Sequence, residues 1–340
     1  MSIKKIAKVA GVSTATVSRV LNGSVKVQQK TAERVLEVVD EMNYQLNNVA
    51  RRMKVKASDS LIFGLIITDI GNPFFANVAR GVEEVAFKNK HVMLICNTNE
   101  SPEKEKFFLN SMLSEKVSGI IIVPTAGNDK YLNKLVSNGF PMVMVDRRHK
   151  NLNIDTVSIN NESGAYQAVK RLINNGHKRI GIINGVKGLS NTEERFEGYK
   201  KALKEADIPI SKELITYGNY IESGGREAMR TILSLKEPPT AVFSTNNLMT
   251  LGCIKEIHLR NLLIPDDIAL IGFDDSNWAE AMVPPLTTVK QAGYELGVNA
   301  AELLFKRLSN KNASTVNVVL NTELVIRESC KSKNLSMHST

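Results

Sequence analysis

Polar side chains recur where short apolar runs end. Asp69 and Asn72 follow LIFGLIIT, Asp146 and Arg147 follow MVMV, Asn246 follows AVFST, and Asp274 follows IALIGF. Arg195 opens a helical stretch after RIGIING, and the rings of Phe74, Phe75 and Trp278 lie near these positions. Carboxylates, amides and Arg pair with hydroxyl groups, and ring faces pack on C–H surfaces, so this set suits a sugar. Gln291 joins the candidates. Arg147 and its neighbour Arg148 have two readings: they reach a phosphate or carboxylate on a ligand, or they are a solvated pair. Phe74 and Phe75 also have a core reading, with one of them packing inward.

A second set lies near the start of the chain. In IAKVAGVSTATVSRVLNG (6–23), Gly11 allows a tight turn with positive φ, and Ser13 stands where an N-cap belongs. Val17, Val20 and Leu21 form an i, i+3, i+4 stripe for burial. Thr14, Ala15, Ser18, Arg19 and Asn22 fall largely on the opposite side. Small and polar residues with one exposed Arg suit a helix laid in the DNA major groove. A third helix, QQKTAERVLEVVDEMNY (28–44), is expected to close a mini-core with Val35, Leu36, Val39 and Met42.

Charge supports a polyanionic partner. The chain of 340 residues carries a net +9, and residues 1–58 account for +7 of it, which leaves +2 for the rest. The length suggests two or three domains, and 43% apolar residues suffice for a substantial core. From Leu61 onward, apolar runs alternate with amphipathic helical stretches in two successive series, the second from about residue 161. That pattern predicts two doubly wound parallel-sheet lobes, with ligand bound outside the carboxyl ends of the strands. Three scattered cysteines without metal-ligand spacing read as reduced thiols. No secretory signal core and no membrane-length apolar run is visible, so a cytoplasmic, nucleoid-associated protein is expected. A catalytic motif is also missing: there is no Gly-x-Gly-x-x-Gly after a strand, no P-loop and no nucleophile elbow. The five histidines have no metal spacing. No enzyme, metal or cofactor is expected.

These residues resemble a known family. VSTATVSRVLNG is similar to the DNA-binding headpiece of LacI/GalR regulators. The likeness continues through Asn72-Pro73-Phe74-Phe75, Val145-Asp146-Arg147, Gly176-His177-Lys178-Arg179-Ile180, Arg195 with Gly198, Thr245-Asn246, Gly272-Phe273-Asp274-Asp275 and Pro285-Leu286-Thr287-Thr288. The resemblance implies an all-α helix-turn-helix headpiece joined to an α/β core like a periplasmic binding protein. It implies that Thr14, Ala15 and Arg19 face base edges while Ser13, Thr16, Asn22, Thr31 and Tyr44 touch phosphates. It further implies a hinge helix in which Asn47, Ala50 and Arg51 match the family pattern and Met53 replaces the usual minor-groove leucine. Arg195 and Asp274 are implied as effector contacts. Three departures stand out: Asn247 where Asp is usual, Asn160 where Asp often precedes Asn161, and Ala292 where Pro is usual.

The implied organisation is a headpiece over 1–46, a hinge over 47–58, a first lobe from 59–160 and 290–321, a second from 161–289 and 322–330, and a disordered tail over 331–340. The implied function is that of a dimeric regulator, a repressor of the LacI type. It binds a palindromic double-stranded operator and answers to a sugar-like effector in the cleft. The alternative is a catabolite-control-type global regulator whose corepressor is a phosphoprotein. With no leucine-heptad tail visible, a homodimer is expected, not a tail-zippered tetramer.

Overall fold

The computed structural model describes residues 3–21, 27–42, 61–149, 152–310 and 312–331. It divides into two compact units, residues 1–60 and 61–340. Among the described residues, no helix is long and apolar enough to cross a membrane.

The first unit holds α1 (Ile3–Val9), α2 (Thr14–Leu21) and α3 (Gln29–Glu41). Gly11 takes φ +64° in the turn between α1 and α2, a conformation that carries no steric cost only for glycine. Ile6, Ala7, Ala10, Val17, Leu21, Val35 and Val38 form the mini-core. Leu36, expected inside, is 51% exposed. The helical period explains the difference. Val35, Val38, Val39 and Met42 run i, i+3, i+4, i+7 along one face, and Leu36 sits about 100° away from it.

The second unit contains two six-stranded sheets. The first has the order β11-β5-β4-β3-β1-β2, the second β12-β10-β9-β8-β6-β7. In sequence these strands are β1 Ile62–Ile67, β2 Val92–Asn97, β3 Ile120–Ile122, β4 Met142–Val145, β5 Asp155–Ile159, β6 Ile180–Asn184, β7 Ile215–Tyr217, β8 Ala241–Ser244, β9 Ala269–Phe273, β10 Thr287–Lys290, β11 Asn317–Leu320 and β12 Glu323–Val325. All neighbours are parallel except β10 and β12. The central strands are mostly apolar and buried along nearly their whole length because helices cover both faces of the sheet. The chain passes from the first sheet to the second after β5, returns after β10, and passes over again after β11. Each sheet with its helices is therefore a lobe closed by a returning segment.

Strand-to-helix junctions are capped by the polar residues that end the apolar runs. Asn72 Oδ1 accepts from Phe74 N at 2.9 Å and starts the helix Pro73–Lys88. Asn246 Oδ1 accepts from Leu248 N and Met249 N and starts the helix Asn247–Leu259. Each cap satisfies backbone donors that the first helical turn leaves unpaired.

Candidate functional site

In the first unit, Ser13 Oγ accepts from Thr16 N at 3.0 Å and lies 2.9 Å from Thr16 Oγ1, so it is the N-cap of α2. Val17 and Leu21 turn inward, while Ser13, Thr14, Ala15 and Arg19 are exposed, and Thr16, Ser18 and Thr31 are half-buried. Lys4, Lys5 and Lys8 are exposed on α1. The arrangement offers small, polar and cationic groups along one helix. The remaining sequence-derived candidates, Asn22, Tyr44, Asn47, Ala50, Arg51 and Met53, lie outside the described residues, as does the whole expected hinge.

In the second unit, a cavity of about 490 Å³ is lined from both lobes. Its walls come from the carboxyl ends of parallel strands, as open α/β sheets require. Thr68, Asp69 and Asn72 follow β1, Asn99 and Glu100 follow β2, and Asp146 and Arg147 follow β4. Asn219, Tyr220 and Ile221 follow β7, Asn246 follows β8, Asp274 follows β9, and Gln291 follows β10. Asn191 and Arg195 come from the helix Ser190–Glu205 after β6, and Phe74 and Phe75 from the helix Pro73–Lys88. Nine of the ten sequence-derived effector candidates thus meet in one place: Asp69, Asn72, Phe74, Asp146, Arg147, Arg195, Asn246, Asp274 and Gln291. Trp278 does not. It lies on the short helix Asn277–Ala281, which turns its indole onto the apolar cluster that includes Leu270 and Leu286.

Backbone strain is concentrated at this cavity. Asn99, Glu100, Asp146, Asn219, Tyr220 and Asp274 all have φ between +51° and +76°. Positive φ is costly for residues such as Glu and Tyr and persists only where the surroundings enforce it. For Tyr220 the enforcing contacts are visible. Its hydroxyl lies 2.6 Å from Thr192 Oγ1 and donates to Asn191 Oδ1 at 3.0 Å. Its ring lies where a Cβ on Gly185 would stand, so only glycine fits there.

The charged groups hold one another in place. Arg195 donates to Asn161 Oδ1 at 2.8 Å and Thr245 O at 2.6 Å, and its guanidinium sits 3.8 Å from the centre of the Phe273 ring. Arg147 donates to Glu100 Oε2 and Pro124 O, both at 2.8 Å, with the Tyr220 ring 5.5 Å away. Asp146 Oδ2 accepts from Asn191 Nδ2 across the cleft at 2.9 Å. Asp274 accepts from Asn247 N, Asn246 Nδ2 and Gln291 Nε2. Four polar atoms of the lining are buried without a hydrogen-bond partner: Asp146 Oδ1, Arg147 Nε, Gln291 Oε1 and Thr68 Oγ1. Buried polar atoms are normally paired, so such a cluster marks where a polar ligand belongs.

Burial shapes the titration. It pushes the Asp146 carboxyl up to about 6; the charges of Arg147 and Arg195 oppose this, and those of Asp274 and Glu100 add to it. Burial also raises Asp274, against Arg195 and the three hydrogen bonds it accepts. Burial works against the charge on Arg147, but the Glu100 carboxylate outweighs it and keeps the guanidinium protonated.

Two models of known families match the chain: one of bacterial regulatory proteins of the lacI family over residues 2–47, and a periplasmic binding protein-like domain over 169–330. The HTH-type transcriptional repressor PurR of Histophilus somni (strain 2336) is 39% identical over 331 residues, covering 97% of this chain and 99% of that protein. The chain belongs to the LacI family of bacterial regulatory proteins. The family protein is a DNA-binding transcriptional repressor with a helix-turn-helix domain. Its fold matches that of the lac repressor dimer bound to operator and the anti-inducer ONPF, with a TM-score of 0.84 and 25% identity over 98% of this chain and 99% of that one. It is also similar to the transcriptional regulator CelR in complex with cellobiose, with a TM-score of 0.74 and 28% identity over 97% and 99%.

Sequence reasoning passed over several lining residues of this LacI-family cleft: Thr68, Asn99, Glu100, Asn191, Asn219, Tyr220 and Ile221. The strand-end rule that found Asp146 and Asp274 would have found Asn99 and Glu100 after VMLICN and Asn219 and Tyr220 after LITYG. The two arginines left open are both paired: Arg147 with Glu100 in the cavity, and Arg148 with Glu194 outside it.

Proposed function

We propose that this repressor grips a near-palindromic operator as a homodimer, and that an uncharged, polyhydroxylated molecule of sugar size in the cleft controls the grip. The observation that carries the effector half is the convergence of Asp146, Arg195, Asp274, Asn246 and Gln291 on one cavity with unpaired buried polar atoms and three aromatic rings. The volume lies within the range of small-ligand pockets, roughly 300–1,000 Å³. Charge narrows the class. Asp69, Glu100, Asp146 and Asp274 outnumber Arg147 and Arg195 along the lining, and Arg147 is already neutralised by Glu100. A phosphate ester would meet this excess of carboxylates, whereas hydroxyl groups donate to them. The likeness to CelR with cellobiose agrees with a sugar.

Dimerisation draws support from apolar surface. Phe87 is 77% and Phe107 64% exposed, and Val92, Leu94 and Ile95 are exposed on the edge strand β2; Leu259, Leu263 and Val283 are exposed in the second lobe. Uncovered apolar edges of this kind mark interfaces. A small headpiece reads one half-site, so a two-fold dimer pairs with a two-fold operator. Thr14, Ala15 and Arg19 would read bases, and Ser13, Thr16, Ser18 and Thr31 would help to seat the backbone. Effector changes operator affinity by binding one lobe arrangement better than another.

Two experiments test this reading. Selection of bound duplexes from a random library is expected to return a palindrome. Thermal shifts with free pentoses and hexoses, set beside their phosphate esters, are expected to be positive only for free sugars. Recovery of unspecific, salt-sensitive binding alone would move the account toward the phosphoprotein corepressor.

A further inference from the structure

Asn247 lies outside the cavity, yet it is bonded to two of the cavity's residues. It is only 1% exposed, and its backbone N donates to Asp274 Oδ2 at 3.2 Å. Its side-chain Nδ2 donates to Ser276 Oγ at 3.1 Å within its own lobe and to Asn72 Oδ1 at 2.9 Å across the cleft. That same Asn72 oxygen already accepts from Phe74 N as the cap of the helix Pro73–Lys88. One oxygen therefore completes the first turn of a helix in one lobe and takes a hydrogen bond from the start of a helix in the other.

The pairing also decides which way the Asn72 amide faces. An amide offers an acceptor oxygen and a donor nitrogen, and here both donors converge on the oxygen. The nitrogen is the end of this cavity-lining amide that is left for a ligand. We propose that Asn247 is a positioning residue for effector recognition: its amide nitrogen turns Asn72 so that the ligand meets a hydrogen-bond donor, and it joins the two helix starts across the cleft. This rests on the reading of the cleft as the effector site. The identity of the residue matters because Asp, usual here in proteins that this sequence resembles, has acceptors only. A carboxylate facing Asn72 Oδ1 repels it. Either Asn72 flips and gives up the cap on Phe74 N, or the lobes part. A second buried hydrogen bond between the lobes, Asn191 to Asp146, consumes an oxygen of a cavity carboxylate, whereas the Asn72–Asn247 pair is neutral.

Hydrogen exchange of the full-length, ligand-free protein, read by mass spectrometry, tests the link. In Asn247→Asp, the amides of residues 74–77 in the opposite lobe are expected to exchange about tenfold faster, with β6 and β9 unchanged. Asn72→Asp keeps an acceptor for both donors, so its residues 74–77 are expected to exchange as in the parent protein. If the Asn247 carboxylate variant does not fold, Asn247→Ala, which removes the donor without burying a charge, carries the same test. Unchanged exchange at 74–77 in a folded Asn247 variant would overturn the proposal. So would equal acceleration in Asn72→Asp. Because no ligand is present, this failure is distinct from a failure of the effector reading, which the thermal-shift panel decides.

Discussion

The headpiece and the cleft handle polar side chains in opposite ways. Arg19 on α2 is exposed and makes no hydrogen bond or ion pair to another described residue, and Thr14 and Ala15 beside it are open to solvent. Arg147 and Arg195 are each about 2% exposed and already hold several partners. The difference fits what each region is proposed to meet. A long polyanion brings its own charge and releases counterions, so cations that wait in solvent are sufficient. A small neutral ligand brings little, so its site must be desolvated and arranged beforehand, with each polar group held by another. Substitution in the headpiece should therefore change DNA binding alone. Substitution in the cleft should change ligand response and local structure together.

The largest effect is expected in the cleft. Arg195→Ala removes the counterion of Asp146 and Asp274 and the support of Asn161. Losing one member of a buried charged set destabilises a fold by roughly 3–5 kcal/mol, so the second unit should melt earlier, and effector binding by calorimetry should be lost with the charge arrangement that Arg195 holds. Retained tight binding would mean that the cavity charges are not organised around Arg195.

Arg19→Ala should cost about 1–3 kcal/mol of base discrimination in competition binding, with much smaller loss on random duplex. Equal losses on both would reduce Arg19 to a phosphate contact and erase the contrast between reading and seating.

The next effect is a pH dependence confined to the cleft. The Asp146 carboxyl sits at about 6 in the folded protein against an ordinary 3.8. A ligand hydroxyl that donates to it favours the ionised form, so effector affinity should fall as pH drops through about 6, by up to about tenfold per pH unit. In Asp146→Asn this dependence should vanish. The sign for folding is the reverse of that for a salt-bridged Asp. Between about pH 4 and 6 the folded protein keeps a proton that the unfolded chain has released, so this group favours folding less as pH rises through that window. A ligand affinity that rises below pH 6 would contradict the role given to Asp146.

The smallest effect belongs to the headpiece. Ser13→Ala removes the α2 cap and should destabilise that unit by about 1 kcal/mol, seen as an earlier headpiece transition in thermal melts while the cleft keeps its ligand affinity. Loss of ligand affinity in this variant would show that the two regions are not separable.

The two regions also differed in how much their sequence revealed. The turn glycine, the cap at Ser13 and the Val17–Leu21 stripe are local, so spacing along one helix disclosed them. Leu36 is apolar yet falls off the 3.6-residue stripe of its helix, so its residue type and its position point to different faces. The alternation of apolar runs with amphipathic stretches exposed the two parallel-sheet lobes for the same local reason. In the cleft, residues at strand ends could be found one by one, but their partnerships span the chain. Nothing near Arg147 announces Glu100, 47 positions earlier, or the Tyr220 ring. Trp278 has a ring and lies near Asp274 in sequence, but a single helical turn carries it to the core. Asn247 stands out in the sequence only as a departure from the family pattern; its bond to Asn72, 175 positions away, lies outside the reach of local pattern.

The most direct test is operator titration by fluorescence anisotropy, using the selected palindrome with and without the free sugar that stabilises the protein. The parent protein, Arg19→Ala and Arg195→Ala should be compared side by side. Arg195→Ala is expected to bind the operator as tightly as the parent when no sugar is present, yet to ignore the sugar, while Arg19→Ala is expected to bind weakly but still answer to it. An Arg195→Ala protein that loses operator binding without sugar, or that still responds to it, would contradict the division of labour between headpiece and cleft.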